Sequence, residues 1–222
     1  MTRDTFYNRF TTRPLSHSQL ESWKYNKDEW YDRYILGKSY PPNVVMKFGS
    51  KIGDAIGTPD CPIPDLNPPG VKEFKLSAKL GDIYIVGYAD HFCPQTLVLN
   101  ENKSTDNPNK WHPESVRLHR QFDIYALMLF FQYDIPPEDV SMYLNDVRTE
   151  KYWVPKPGHE DLPEYLLNEH TADEAVRLKR PIEWYQHPTT RTGSDLKRYV
   201  KYVEKTVEAM WEYVSNRKPD VE

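Results

Sequence analysis

Cysteine is nearly absent from this chain. Its 222 residues include 2 cysteines, Cys61 and Cys93, too few for a four-cysteine iron-sulfur cluster or zinc site, and the scarcity suits a reducing compartment. A bound metal must therefore be held by oxygen or histidine. Long apolar runs are missing too. No stretch of about 18 uninterrupted apolar residues occurs, as a membrane-spanning helix would need, and Met1-Thr2-Arg3-Asp4 lacks the apolar segment of a secretion signal. Nor is there an excess of positive charge, because 29 Lys and Arg face 33 Asp and Glu, for a net charge of −4. The body as a whole is thus not the basic object expected of a static duplex binder, although one local basic groove beside an acidic site is compatible with that total. These absences lead us to expect a soluble cytoplasmic protein with no membrane partner.

The chain is rich in aromatic residues, at 14 %, and is long enough for one domain with a sizeable core. Ser16 followed by Gln19 has the spacing of a reciprocal helix cap. Leu20, Trp23, Trp30, Tyr34 and Ile35 then recur at mostly helical spacing up to Gly37, a stop signal. A shorter helix is expected over about 44–56, and the prolines of 59–70 predict a loop. Strands follow over 71–80, 83–89 and from Leu97 to the Glu101-Asn102-Lys103-Ser104 segment. A strong helix is expected over about 114–132, a strand over 140–147, a helix over about 172–179 and a long amphipathic helix over about 195–215. The order of elements is that of an α/β protein with a mixed sheet.

Asp90 ends one apolar strand, and Glu101 and Lys103 lie two apart at the end of the next. Residues two apart on a strand share a face, so Glu101 and Lys103 project together and strand pairing can bring Asp90 alongside them. Two carboxylates with a backbone carbonyl such as that of Asn102 suit a hard cation, Mg²⁺ or Mn²⁺, that keeps several waters for a phosphate to displace. Such an ion activates water and clamps a phosphate, and Lys103 is placed to position that water or to stabilise developing charge. An acidic-x-Lys tripeptide alone is weak evidence in so charged a chain. Glu73-Phe74-Lys75, which follows Pro64-Asp65, is a rival. It is set aside because Asp65 falls in a proline-rich loop and no helix with polar residues follows Lys75. The plainer reading of Asp90, Glu101 and Lys103 is a strand-end turn carrying solvated charges.

Four segments in order, Leu15-Ser16-His17-Ser18-Gln19-Leu20-Glu21-Ser22-Trp23, Gly87-Tyr88-Ala89-Asp90, Glu101-Asn102-Lys103-Ser104 and Gln121-Phe122-Asp123-Ile124-Tyr125, decide against the plainer reading. Over roughly residues 15–147 the chain resembles the RecB-like branch of the PD-(D/E)XK nucleases, which includes the CRISPR-associated RecB-like exonucleases. The resemblance implies a restriction-endonuclease-like core, with a mixed central sheet flanked by helices and with N-terminal and C-terminal helices. It implies metal binding by Asp90 and Glu101, catalysis by Lys103, and a place near the site for Gln121 and Tyr125, whose i, i+4 spacing gives them one helix face. Two departures are visible. Four residues after Gly49 the family usually has His and this chain has Gly53, leaving Asp54 as the nearest replacement ligand. Lys24-Tyr25-Asn26-Lys27 stands where the iron-sulfur subgroup has a Cys-Pro, so no iron-sulfur cluster is expected.

The expectation is one nuclease domain, with a helical N-terminal part over about 15–57, a catalytic core over about 71–148 and a helical C-terminal part over about 165–216. Its activity would be Mg²⁺- or Mn²⁺-dependent hydrolysis of DNA, with exonuclease action in DNA processing, recombination or repair following from the resemblance. Lys110, Arg117 and Arg120, with Trp111, His112 and His119, are candidates for guiding the strands of a DNA end, and a solvated face is the alternative. A homo-oligomer is compatible with this reading. Two rivals stand beside it: a catalytically silent nuclease fold that binds nucleic acid or a partner protein, and an RNA-directed nuclease.

Overall fold

The computed structural model describes residues 1–41, 44–59, 61–66, 69–155, 170–171 and 175–217. Its helices are α1 (Arg3–Thr12), α2 (His17–Tyr25), α3 (Lys27–Trp30), α4 (Val44–Ala55), α5 (Pro113–Arg117), α6 (Arg120–Tyr133) and α7 (Gly193–Asn216). The strands are β1 (Val71–Leu80), β2 (Ile83–Cys93), β3 (Val98–Thr105), β4 (Ser141–Pro155), β5 (His170–Thr171) and β6 (Ala175–Thr189). They form one sheet of six strands in the order β1-β2-β3-β4-β6-β5. Only β3 and β4 run parallel, because the connection between them crosses over through α6, whereas β1, β2 and β3 are joined by short turns that return the chain antiparallel.

Helices cover both faces of the sheet. Met142 and Leu144 on β4 join the main core with α6, while Val147, of opposite parity, joins Phe48 and Ile52 of α4. α6 buries Phe122 and every residue from Ile124 to Leu129, so its middle is enclosed, while its last turn from Phe130 to Tyr133 is exposed. The amphipathic α7 packs through Leu196, Tyr199, Val203, Val207, Met210 and Val214, which recur every three or four positions. Ser16 accepts the Gln19 backbone N–H at 3.3 Å as the cap predicts, whereas the Gln19 side chain donates instead to the Pro14 carbonyl at 2.8 Å. Gly37 ends the N-terminal helical region at φ 74°, a left-handed conformation that glycine adopts without a Cβ clash.

Four expectations need correction. α1 precedes the predicted helical region and docks on α7: Phe6 meets Trp211 at 5.7 Å and Tyr7 donates to Glu208 at 2.9 Å. The helix expected over 114–132 is broken: His119 is extended, and its carbonyl accepts both the Phe122 N–H at 3.2 Å, which opens α6, and Arg191 at 3.0 Å. The strand expected over 140–147 runs on to Pro155. Residues 175–179, expected to be helical, belong to β6, which pairs with β4 along its length and sets Pro181 beside an irregularity opposite Arg148 and Thr149. Proline is tolerated at such bulges and breaks helices. The C-terminal part is therefore a long strand plus a helix, and 165–169 and 172–174 lie outside the described residues.

Candidate active site

β2 and β3 pair at His91 with Asn100, Phe92 with Leu99 and Cys93 with Val98. At the next rung the ladder stops, and the Asp90 carboxylate accepts the Asn102 backbone N–H at 2.6 Å. The aspartate side chain thus takes a donor that a continued strand would have supplied to backbone, and its charge is fixed beside the β3 segment carrying Glu101 and Lys103. Glu101 is 2 % exposed. One of its oxygens accepts Lys103 Nζ at 2.5 Å and Gln121 Nε2 at 2.6 Å, and the other lies 3.1 Å from the Tyr125 hydroxyl. That hydroxyl accepts Gln121 Nε2 at 2.7 Å and lies 2.6 Å from the Tyr88 carbonyl, with one proton to offer.

Gly87 has a steric task here. A Cβ at that position would come within 2.8 Å of Met128 Cε and 2.9 Å of Tyr125 Cε1, so its absence lets α6 approach β2 and delivers Tyr125 to Glu101. The N-terminal motif is pinned to the same strand, because Leu15 donates to the Tyr84 carbonyl at 2.7 Å and accepts from Val86 at 2.9 Å. His17 then stands 5.6 Å from His119, which in turn meets Trp111 at 5.1 Å.

Electrostatics follow from burial. Burial and the neighbouring charge of Glu101 push Asp90 up to about 7, against the opposing pull of Lys103 and the Asn102 N–H; Glu73, exposed and across the ladder on β1, adds a further small push. Burial alone would lower the Lys103 ammonium, but Glu101 and Asp90 outweigh it and leave it above its ordinary value. Burial, then the Lys103 charge, lowers His17 to about 4 and His119 to about 3, so both imidazoles are neutral near pH 7. Burial, reinforced by Glu101, raises the Tyr125 phenol and keeps it protonated. Two carboxylates held close in a poorly hydrated site, one resisting ionisation, form an arrangement that a divalent cation would relieve. The donor set fits Mg²⁺ or Mn²⁺, with water completing the coordination.

The predicted residues divide. Asp90, Glu101, Lys103, Gln121 and Tyr125 are brought together by the contacts above, and Asn102 lies among them. Asp54 is not: it is exposed on α4, and among the described residues no group of three or more His, Cys, Asp or Glu side chains gathers. Its helix reaches β3, where a Cβ on Gly49 would stand 3.8 Å from Ser104 Oγ, but among the described residues nothing comes within 4 Å of a Cβ on Gly53. Arg117 and Arg120 line an adjoining cleft rather than the carboxylate site. The rival Glu73-Phe74-Lys75 belongs to edge strand β1, with Phe74 packed 5.0 Å from Phe92. Sequence reasoning missed an amide ladder: Asn145 donates to the Asn102 side chain at 2.8 Å and accepts from Gln186 at 3.1 Å, linking β3, β4 and β6. Asn145-Asp146 interrupting an apolar strand was its signal.

No family model matches the sequence, and no curated protein matches it. Among solved structures the chain is similar to a Eubacterium rectale protein described as a "Putative exonuclease", at 9 % identity and a TM-score of 0.58 over 99 % of this chain and 89 % of that one. A phage-related exonuclease from Haemophilus somnus aligns at 10 % identity and a TM-score of 0.46, over 84 % of this chain and 79 % of that one. The first likeness shows the shared α/β fold, a mixed sheet flanked by helices. Among the described residues no helix is long and apolar enough to cross a membrane.

Proposed function

We propose that this chain is a divalent-metal-dependent DNA nuclease of the PD-(D/E)XK superfamily, RecB-like branch, acting as an exonuclease. The observation that carries the reading is the approach of Asp90, through Asn102, to a Glu101 already bound by Lys103, Gln121 and Tyr125. Asp90, Glu101 and the Asn102 main-chain carbonyl would hold Mg²⁺ or Mn²⁺, which when bound lowers the pKa of a coordinated water and draws charge from the scissile phosphate. In hydrolysis the water oxygen bonds to phosphorus, the bond to the leaving oxygen breaks, and that oxygen takes a proton. Lys103 is cationic and placed to orient the water or to balance charge gained by the phosphate oxygens. Gln121 and Tyr125 fix the Glu101 carboxylate. Exonuclease rather than endonuclease action follows from analogy, as does a role in DNA processing, recombination or repair.

A second reading, a silent nuclease fold that binds nucleic acid or a partner protein, is favoured by the absence of a described neighbour around Gly53 and the exposure of Asp54. One assay separates them. Linear single- and double-stranded DNA and RNA are incubated with Mn²⁺ or with chelator. Cleavage that needs the metal and disappears in Asp90→Ala and Lys103→Ala supports the nuclease, and its substrate preference separates DNA from RNA. No cleavage in any arm leaves the binding protein.

A further inference from the structure

Across the first turn of α6 from the carboxylates lies a cleft of about 560 Å³, walled by α5, the end of β6 and the start of α7. Gln121 and Tyr125 look into the carboxylate site, while Arg120 and Asp123 line the cleft, as helix positions one or two apart do not share a face. Four guanidinium groups line it against two carboxylates. Both carboxylates are engaged: Asp123 is paired with Arg191, and Asp195 with Arg198 and the Thr192 N–H. Arg117 and Arg120 are exposed and have no carboxylate partner among the described residues, and Arg120 lies 3.6 Å over the Tyr202 ring. Tyr199 and Tyr202 line the cleft beside them, with the Tyr199 hydroxyl shut off from solvent. An oxygen-rich anion pairs with the two exposed guanidinium groups together.

We propose that this cleft binds a backbone phosphodiester of the nucleic-acid strand, a second anchor beside the carboxylate site. The identity of the strand rests on the nuclease reading, whereas the preference for a phosphate does not. Arg117 and Arg120 supply charge and two forks of N–H donors, and buried Arg191 braces the wall through Asp123, Thr189 and the Thr190 and His119 carbonyls.

The test is equilibrium binding of a fluorescein-labelled single-stranded oligonucleotide to the full chain in chelator, followed by anisotropy across a salt series. Removing two contacts in Arg117→Ala/Arg120→Ala should make the slope of log K against log salt shallower by about 1.4. Lys75→Ala/Lys79→Ala on the far edge strand should leave binding unchanged. An unchanged slope in the arginine variant, or equal losses in the lysine control, would overturn the proposal. So would inorganic phosphate raising the melting temperature through Arg117 and Arg120 while strand binding is unaffected, which would indicate a small phosphoanion. Cleavage by the wild type is scored separately. Weakened binding without any cleavage keeps the cleft and removes the nuclease, and cleavage with undiminished variant binding does the reverse.

Discussion

Asp90 accepts the Asn102 backbone N–H at 2.6 Å, at the point where the β2–β3 ladder ends. One carboxylate thereby serves two purposes: it closes the split between the strands and it sets negative charge beside Glu101. Because one oxygen is engaged by backbone, the position of the other is constrained before any ligand arrives, which is the preorganisation that metal and phosphate chemistry needs.

Asp90→Asn separates these purposes. The amide oxygen still accepts from Asn102, so the melting temperature in chelator should stay near that of the wild type. The anion is gone, so stabilisation by Mn²⁺ should disappear. Cleavage should fall by at least about 100-fold, given that metal-borne charge stabilisation amounts to several kcal/mol. Thermal denaturation with and without Mn²⁺, beside a cleavage assay, measures both.

Tyr125→Phe removes the hydroxyl shared among Gln121, Glu101 and the Tyr88 carbonyl. Leaving those buried groups short of a partner should cost about 1–3 kcal/mol of stability. Loosening the carboxylate proposed to bind the metal should cost about 10–100-fold in activity. Urea unfolding and turnover at saturating Mn²⁺ report the two effects, and an active, fully stable variant would contradict the role given to Tyr125.

The Arg191–Asp123 pair ties the end of β6 to α6, with Arg191 2 % exposed. Burial raises Asp123 while Arg191 opposes that rise. Arg191→Ala would leave the half-buried Asp123 carboxylate at the cleft wall without its partner and should cost about 1–3 kcal/mol. Arg191→Met/Asp123→Leu should recover much of that loss, because the penalty is that of an unpaired charge. Denaturant midpoints of the single and double variants decide it, and additive losses would count against the coupling.

Much of this site was legible in the chain. The capping serine at position 16 and the stop at Gly37 are local signals, and local physics produces them. Asp90 and Glu101, expected at strand ends, instead lie inside β2 and β3, which run on to Cys93 and Thr105, at the point where the ladder between them splits. The Glu73-Phe74-Lys75 decoy could be rejected because Asp65 falls in a proline-rich loop and no helix with polar residues follows Lys75. What was not legible depends on distant partners. α1 exists because Phe6 and Tyr7 find Trp211 and Glu208 some 200 residues away. The segment from Ala175 is a strand because β4 offers it an edge. At the break, the His119 carbonyl also accepts the arginine at position 191, a partner that no window around the helix contains. Asp54 failed as a ligand because being next to the expected histidine position does not fix the direction of a helical side chain.

His17 and His119 give a pH prediction of definite sign. Their folded values, about 4 and about 3 from burial and the Lys103 charge, lie below the ordinary 6.5. The unfolded chain therefore binds more protons than the folded one from about 6.5 down to about 3, and stability falls as pH drops through that window. Above it the pair contributes no slope. Melting temperatures of the wild type and of His17→Phe/His119→Phe, taken from pH 7.5 to 4.5 in chelator, should diverge, with the wild type losing more on acidification. Parallel curves would contradict the neutral, buried state of the two rings.

If Asp90 and Glu101 share one cation, crystals soaked in Mn²⁺ and measured for anomalous scattering should show a peak between the two carboxylates, within reach of the Asn102 carbonyl and absent from Asp90→Ala. A wild-type map with no peak there at saturating Mn²⁺, or with manganese bound only elsewhere, would contradict shared binding.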